Sequence, residues 1–305
     1  MKKISWITIA IGLILIGLGG AAYYKFQFAE PLAAHSQTWT FGEGELREFV
    51  VVGDAKSLDI RFVPSTDGKN TVKLDGKEEK EVISRLSDVK LEGGKLELNL
   101  NPKFKWFNIN FNFNFGSRKQ SIVVALSDAR LLDAVTVKSD SGSVVVDGPK
   151  AQTVKIGSDS GSLRASNIQA GTLELKSDSG SVKLSGIQAE QATVKTDSGS
   201  IQADGIKAEA TVSSDSGSIK LAALAGAAEI KSDSGSVRLQ KQDTSSVDIK
   251  TDSGSVRVEV PASFAGHYDL RSGSGSIHSP DSPGQTKDVV KVRTDSGSIR
   301  VATAE

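Results

Sequence analysis

Eight aspartates recur in the second half of the chain, each inside the phrase Asp-Ser-Gly-Ser: Asp140, Asp159, Asp178, Asp197, Asp215, Asp233, Asp252 and Asp295. A carboxylate beside hydroxyls is a set of hard oxygen donors, so the row could hold divalent cations. The same residues could instead close turns, with Asp accepting backbone hydrogen bonds and Gly taking the positive φ a bend needs. One carboxylate per copy with competing cations beside it is poor coordination chemistry. The nine-residue period of glycine-aspartate calcium solenoids is also absent. A structural turn ladder is therefore favoured, with weak calcium binding as the alternative and no other cofactor expected.

Other reactive chemistry is sparse. The 305 residues contain no cysteine, which excludes disulfides, thiolate nucleophiles and cysteine-bearing metal sites. The three histidines, His35, His267 and His278, are far apart and in no ligand spacing. His267 and Tyr268 fall in a long interval between copies and read as loop residues. Glycosidase chemistry needs a distinct pair of carboxylates; here they form one uniform row, so no catalytic residue is expected. With 37 basic and 37 acidic side chains the net charge is zero, which argues against a nucleic-acid partner.

The elements that would position the row follow from its period. Successive spacings are 19, 19, 19, 18, 18, 19, 21 and 22, with Gly273 standing in place of Asp in the eighth of nine copies. Three residues before the Asp, and four after it, every copy carries Val, Ile or Leu, and neighbouring positions alternate with these. That is a strand, a tight bend and a second strand, each strand burying one face. Ile168, Ile187, Ile206 and Leu224 add an inward anchor on the return segment. Hairpins in a meander also fit a three-residue turn. A coiled solenoid, however, rewards identical residues at one column, because each stacks on its equivalent about 4.8 Å away. The sequence predicts an all-β fold, a right-handed parallel β-helix (β-solenoid) with coils of about 19 residues over 135–303, copies stacked in chain order.

Two basic columns flank the bend. Lys176, Lys195, Lys231 and Lys250 stand two residues before the Asp; Lys183, Lys220, Arg238 and Arg257 stand five after it. They can offset repulsion along the carboxylate row, and they are also the candidate binding face.

Before the repeat, residues 41–134 read as strands between polar turns, either an irregular β cap or divergent first coils, with a short helical stretch near Lys77–Leu86. From Phe107 to Phe115 apolar residues and Asn alternate without a break. The Phe111, Phe113 and Phe115 face is expected to pack on the end of the rod or to contact lipid or a partner. At the N-terminus, Lys2 and Lys3 precede an uncharged stretch of 21 residues from Ile4 to Tyr24. That length suits a transmembrane helix, with Trp6, Tyr23 and Tyr24 as interfacial aromatics. Residues 1–25 are therefore read as a membrane anchor, N-terminus cytoplasmic, with 26–40 as linker. A cleaved signal ending near Gly20-Ala21-Ala22, giving a secreted protein, is the alternative.

The anchor, the weakly patterned strands and the repeated [VI]-K-[ST]-D-S-G-S-[VI]-[KR]-[LV] phrase resemble the bacterial "putative adhesin" domain family of unknown function. The likeness spans roughly residues 40–303 and is greatest to LiaG-type members, which are membrane-anchored and associated with envelope-stress operons of Gram-positive bacteria. The resemblance implies an exported β-helical domain and supplies no catalytic residues. A non-enzymatic envelope protein presenting a polar face to wall polymer or protein partners is expected. A polysaccharide-active β-helix enzyme, or an accessory regulator acting laterally on membrane proteins, are the alternatives.

Overall fold

The computed structural model describes residues 32–54, 56–101, 119–127 and 131–304. The proposed anchor and the Phe111–Phe115 face lie outside these residues. Among the described residues no helix is long and apolar enough to cross a membrane.

Strand and bend alternate as the period requires, and every pairing between successive copies is parallel. Leu163, after one bend, pairs with Val144 on one side and Val182 on the other. Leu175, before the next bend, pairs with Ile156 and Val194. Hairpins would have paired antiparallel, so the copies are coils of one solenoid. The strand before each bend is called here the A strand and the one after it the B strand. Their inward columns form the core. From copy one to copy seven, and again in copy nine, these aliphatic side chains are at most 2% exposed. Each such burial is worth roughly 1.5–3 kcal/mol. Ile168, Ile187, Ile206 and Leu224 are buried as well, filling the corner opposite the bend.

The stacking order departs from chain order at both ends. The last copy does not lie last. Its A strand, Val289–Thr294, sits between Val247–Thr251 of copy seven and His267–Ser272 of copy eight. Its B strand, Ile299–Thr303, likewise lies between Val256–Val260 and Ile277–His278. Copy eight is thus the terminal rung, and Ile277 in its inward column is 42% exposed. The reason lies in its own residues: its B strand is only Ile277–His278 before Ser279-Pro280, and proline cannot donate to a ladder. Such a rung cannot be paired on both sides. His267 and Tyr268 accordingly open a strand instead of lying in a loop, and Tyr268 stacks on Phe264 at a centroid distance of 5.3 Å.

At the other end the strands Glu48–Gly53 and Ser57–Pro64 form a coil directly against copy one, pairing Val51 with Val137 and Leu58 with Val144. Outside it lies a later segment, Lys95–Asn99 and Lys119–Leu126. Two antiparallel strands then end the parallel stack: Asn70–Glu78 pairs with Lys119–Leu126, and Ala33–Phe41 pairs with Asn70–Glu78. The helix Lys80–Asp88 buries Val82 and Leu86, and Trp39 Nε1 donates to the Val89 carbonyl at its end (3.0 Å). Residues 41–134 therefore hold both coils and one closing strand, and the other, Ala33–Phe41, occupies part of the 26–40 stretch read as linker, where its alternation lets it pair with Asn70–Glu78.

Candidate functional site

The bends of copies one to six are held by a hydroxyl, not by the carboxylate. The Ser or Thr preceding the Asp is buried, and its oxygen accepts the backbone N–H of the Gly three residues on, whereas in copy seven Thr251 Oγ1 is without a partner among the described residues and in copy nine Thr294 Oγ1 donates to the Gly254 carbonyl. The distances are 3.1 Å for Gly142 to Ser139, and 2.9 Å for Gly161 to Ser158, Gly180 to Ser177 and Gly217 to Ser214. The hydroxyl then donates outward to the neighbouring rung, as from Ser214 Oγ to the Gly199 carbonyl at 3.1 Å. Asp140, Asp159, Asp178, Asp197, Asp215, Asp233, Asp252 and Asp295 form the expected row but are all exposed. The capping role assigned to them belongs to the Ser/Thr column, whose shorter side chain reaches its own bend from the interior.

The bend glycines are also required for a different reason. None has positive φ. A Cβ on Gly180 would lie 1.8 Å from the carbonyl oxygen of Gly161 in the adjacent coil, so it is close approach that excludes a side chain. Left-handed backbone occurs at the opposite corner, through Gly148, Asn167, Gly186, Gly205 and Ala223, with φ of 76°, 53°, 62°, 67° and 52°.

The row extends one rung further than the repeat. Asp54 occupies the position next to Asp140, and a hydrogen bond between the two carboxyls, with burial and like charge adding to it, holds Asp140 above the usual carboxylate range. Among the described residues no group of three or more His, Asp or Glu is arranged to hold a metal ion.

The cationic face divides in two. Lys176, Lys195, Lys231 and Lys250 are exposed on the A strands, where Glu174, Thr193, Glu229 and Asp248 stand two residues before them, and Glu174 and Asp248 pair with Lys155 and Lys291 instead. Lys231 pairs with Glu229 at 2.5 Å, which raises its pKa, and Arg293 and Arg271 both pair with Asp269, at 3.0 and 3.4 Å. Lys183, Lys220, Arg238 and Arg257 are exposed on the B strands, beyond the bend, together with Arg164 and Arg300. None of these six makes an ion pair or side-chain hydrogen bond among the described residues. The two sets do not form one surface.

At the terminal end of the B column is a trough of about 430 Å³. Backbone bonds fix its order: Val237 N–H donates to Ser255, Val256 to Ser298 and Ile299 to Ser276. Arg238, Arg257, Arg300 and His278 therefore stand on four successive rungs, with Ser236, Ser255, Ser298 and Ser276 in a parallel line beside them. A larger concavity of about 660 Å³ lies at the other end, around Trp39, Glu45, Arg47 and Gly93, with Glu45 its lone carboxylate side chain.

Two buried charge clusters were not legible as sites. Lys56 meets Glu78 at 2.7 Å, both side chains 1% exposed, and Gln120 Nε2 donates to the same carboxylate at 2.7 Å. Lys241 takes the interior position next to Leu224 in the corner column and pairs with Asp243 and Ser245, each at 2.7 Å. Burial pushes the Lys241 pKa down, against the opposing pull of Asp243. Both clusters replace apolar filling with paired charges, and in the first Gln120 Oε1 is left buried without a partner among the described residues.

Comparison with known proteins places this architecture. Among solved structures, a "putative adhesin" from Bacteroides fragilis matches at 16% identity and a TM-score of 0.44, covering 89% of this chain and 97% of that one. A "putative adhesin" and a "putative lipid binding protein" from Parabacteroides distasonis match at 14% identity, with TM-scores of 0.47 and 0.43 and the same coverages. No curated protein matches the sequence. The pattern of the Toastrack DUF4097 family matches residues 51–302, from the first coil to the inserted last one, and the chain belongs to that family.

Proposed function

We propose that this protein is a non-enzymatic component of the bacterial envelope. It is a β-solenoid, tethered through Ile4–Tyr24, that offers its lateral polar face to wall polymer or to protein partners. The observation that carries this reading is the B-strand column. Like charges repeated at about 4.8 Å repel one another, and the A strands show how the fold can relieve this with Glu229 and Asp269. In the A-strand column Lys231, Arg271 and Arg293 are relieved in this way and Lys176, Lys195 and Lys250 are not, whereas all six cations of the B-strand column lack a pair among the described residues, which suits a surface completed by an anionic partner. The exposed aspartates stand in one row, and the pair within it that shares a hydrogen bond, Asp54 with Asp140, lies at one end of the row, apart from the cationic column. The LiaG-type resemblance extends the reading to the setting of envelope stress.

The test is co-sedimentation of the full chain, in detergent, with purified cell walls and with membrane vesicles. Salt-sensitive retention on walls is expected. Retention on neither would remove the envelope-binding reading.

A further inference from the structure

The trough at the terminal end of the B strands has the chemistry of an anion site for one kind of polymer. Arg238, Arg257 and Arg300 lie on consecutive rungs, exposed and unpaired among the described residues. Beside them, across the buried Val237, Val256 and Ile299, runs the line of serine hydroxyls. The nearest acidic neighbour along these strands, Glu259, accepts from Gln240 at 3.3 Å. Four rungs span roughly 14 Å along the axis at about 4.8 Å each.

We propose that this trough binds a linear phosphodiester polymer lying along the rod axis. The donors stand on two sides: guanidinium groups on one, hydroxyls on the other. A phosphodiester has two non-bridging oxygens pointing apart, so one can meet the Arg line while the other meets the Ser line. A carboxylate held by the guanidinium fork has both its oxygens engaged there, whereas a tetrahedral phosphodiester held the same way keeps its ester oxygens for the serines as well. The ladder repeats, so successive phosphates of one chain engage successive rungs. The trough is lined by no Phe, Tyr or Trp, so it lacks the large aromatic platform on which single-stranded nucleic acid stacks, and a base-free chain is the better fit. Copy nine, placed between copies seven and eight, is what brings Arg300 next to Arg257. This inference deepens the envelope reading and rests on it for the setting, though not for the geometry.

The experiment measures binding of the full chain to immobilised poly(glycerol phosphate). Wild type is expected to bind with log K falling against log salt at a slope of about −2, since three neutralised phosphates contribute roughly 0.7 each on a single strand. Arg238→Gln/Arg257→Gln/Arg300→Gln is expected to weaken binding by about tenfold or more and flatten that slope. Ser236→Ala/Ser255→Ala/Ser298→Ala is expected to weaken it several-fold, and Lys176→Gln/Lys195→Gln/Lys250→Gln to leave it unchanged. Far-UV circular dichroism confirms that these exposed-site variants fold. Equal binding by the Arg variant, an equal loss from the A-strand variant, or equal affinity for polygalacturonate would each overturn the proposal. If the Arg variant still sediments with whole walls as wild type does, the trough proposal fails while the envelope reading survives. If wild type binds neither walls nor vesicles yet binds the polymer through the arginines, the reverse holds.

Discussion

Replacing Ser214 by alanine and, separately, Asp215 by asparagine tests which side chain holds the bend. Ser214 is 1% exposed and makes two bonds. It accepts from Gly217 N–H at 2.9 Å and donates to the Gly199 carbonyl at 3.1 Å. Alanine leaves a buried N–H and a buried carbonyl unmet, at about 1–3 kcal/mol each, so a loss of about 2–4 kcal/mol is expected after partial relaxation. In a chain of this size that is a fall in melting temperature of roughly 4–12 °C. Asp215 is exposed, and its carboxylate makes no bond within the bend. Its neighbours in the row, Asp197 and Asp233, repel it at about 4.8 Å, by no more than about 1 kcal/mol each before salt screening. Asparagine should therefore be neutral or slightly stabilising, and any gain should shrink as salt is added. Urea and thermal unfolding followed by circular dichroism read both variants. A loss from Asp215→Asn as large as that from Ser214→Ala would refute the assignment of the cap to the hydroxyl.

Further outcomes follow from the same geometry. Gly199→Ala places a Cβ 1.9 Å from the Gly180 carbonyl oxygen and should cost about 3 kcal/mol or more, whereas Gly205→Ala, at φ 67°, should cost only the left-handed penalty of about 1–2 kcal/mol; denaturant midpoints compare them. Ile299→Ala removes a side chain that is 0% exposed and should cost about 2–4 kcal/mol, while Ile277→Ala, at 42% exposed, should cost under about 1 kcal/mol; equal losses would contradict the order in which the last coils stack. Lys241 has its pKa lowered by burial, so folding disfavours its charged form at neutral pH and the handicap is relieved as pH rises toward the ordinary value of 10.5. The stability of wild type relative to Lys241→Met should therefore increase through that alkaline window, measured by urea unfolding at stepped pH. A flat difference would show that Asp243 fully offsets the burial.

The core was readable because the solenoid writes each inward position as a column. Val137 to Val292 and Val144 to Ile299 declare their burial by repetition alone, without help from any long-range contact. The extra rung at Glu48–Pro64 carried the same template, Val51 three before Asp54 and Leu58 four after it. It was masked by Lys56 in the glycine position. A side chain is accommodated there because Lys56 is buried in a pair with Glu78. The cap was misassigned because Ser/Thr and Asp are adjacent in every copy, so spacing cannot tell which points inward. Alternation could have done so: counting forward from the buried aliphatic three before the Asp, two steps reach the Ser/Thr, whereas the Asp falls on the outward parity. The division of the cationic face was hidden for another reason. Composition balances over the whole chain, but the pairing differs between strands: Glu229 serves Lys231, whereas Glu259, at the same spacing from Arg257, is bonded to Gln240.

The order of the last two coils has a physical rationale in the open edge of the stack. Stacked in chain order, copy nine would lie outermost and present the regular five-residue strand Ile299–Thr303, with a row of unpaired backbone groups, to any passing chain. With copy eight outermost the exposed B strand shrinks to Ile277–His278 and stops before Pro280. On the A side, the outward N–H of Tyr268 is taken by Ser282 Oγ at 2.8 Å, from the loop that carries the chain back inward. The same loop donates from Gly284 N–H to the Gly266 carbonyl at 3.0 Å. The other end reaches a comparable result by different means, turning the parallel stack antiparallel at Asn70–Glu78 and Ala33–Phe41. In each case the rung that departs most from the repeat is the one placed at the boundary. Copy eight has Gly273 where the others have Asp and His278 where six copies have Lys or Arg; its neighbours lie on one side only, so there is no second rung whose charge or packing those positions must match.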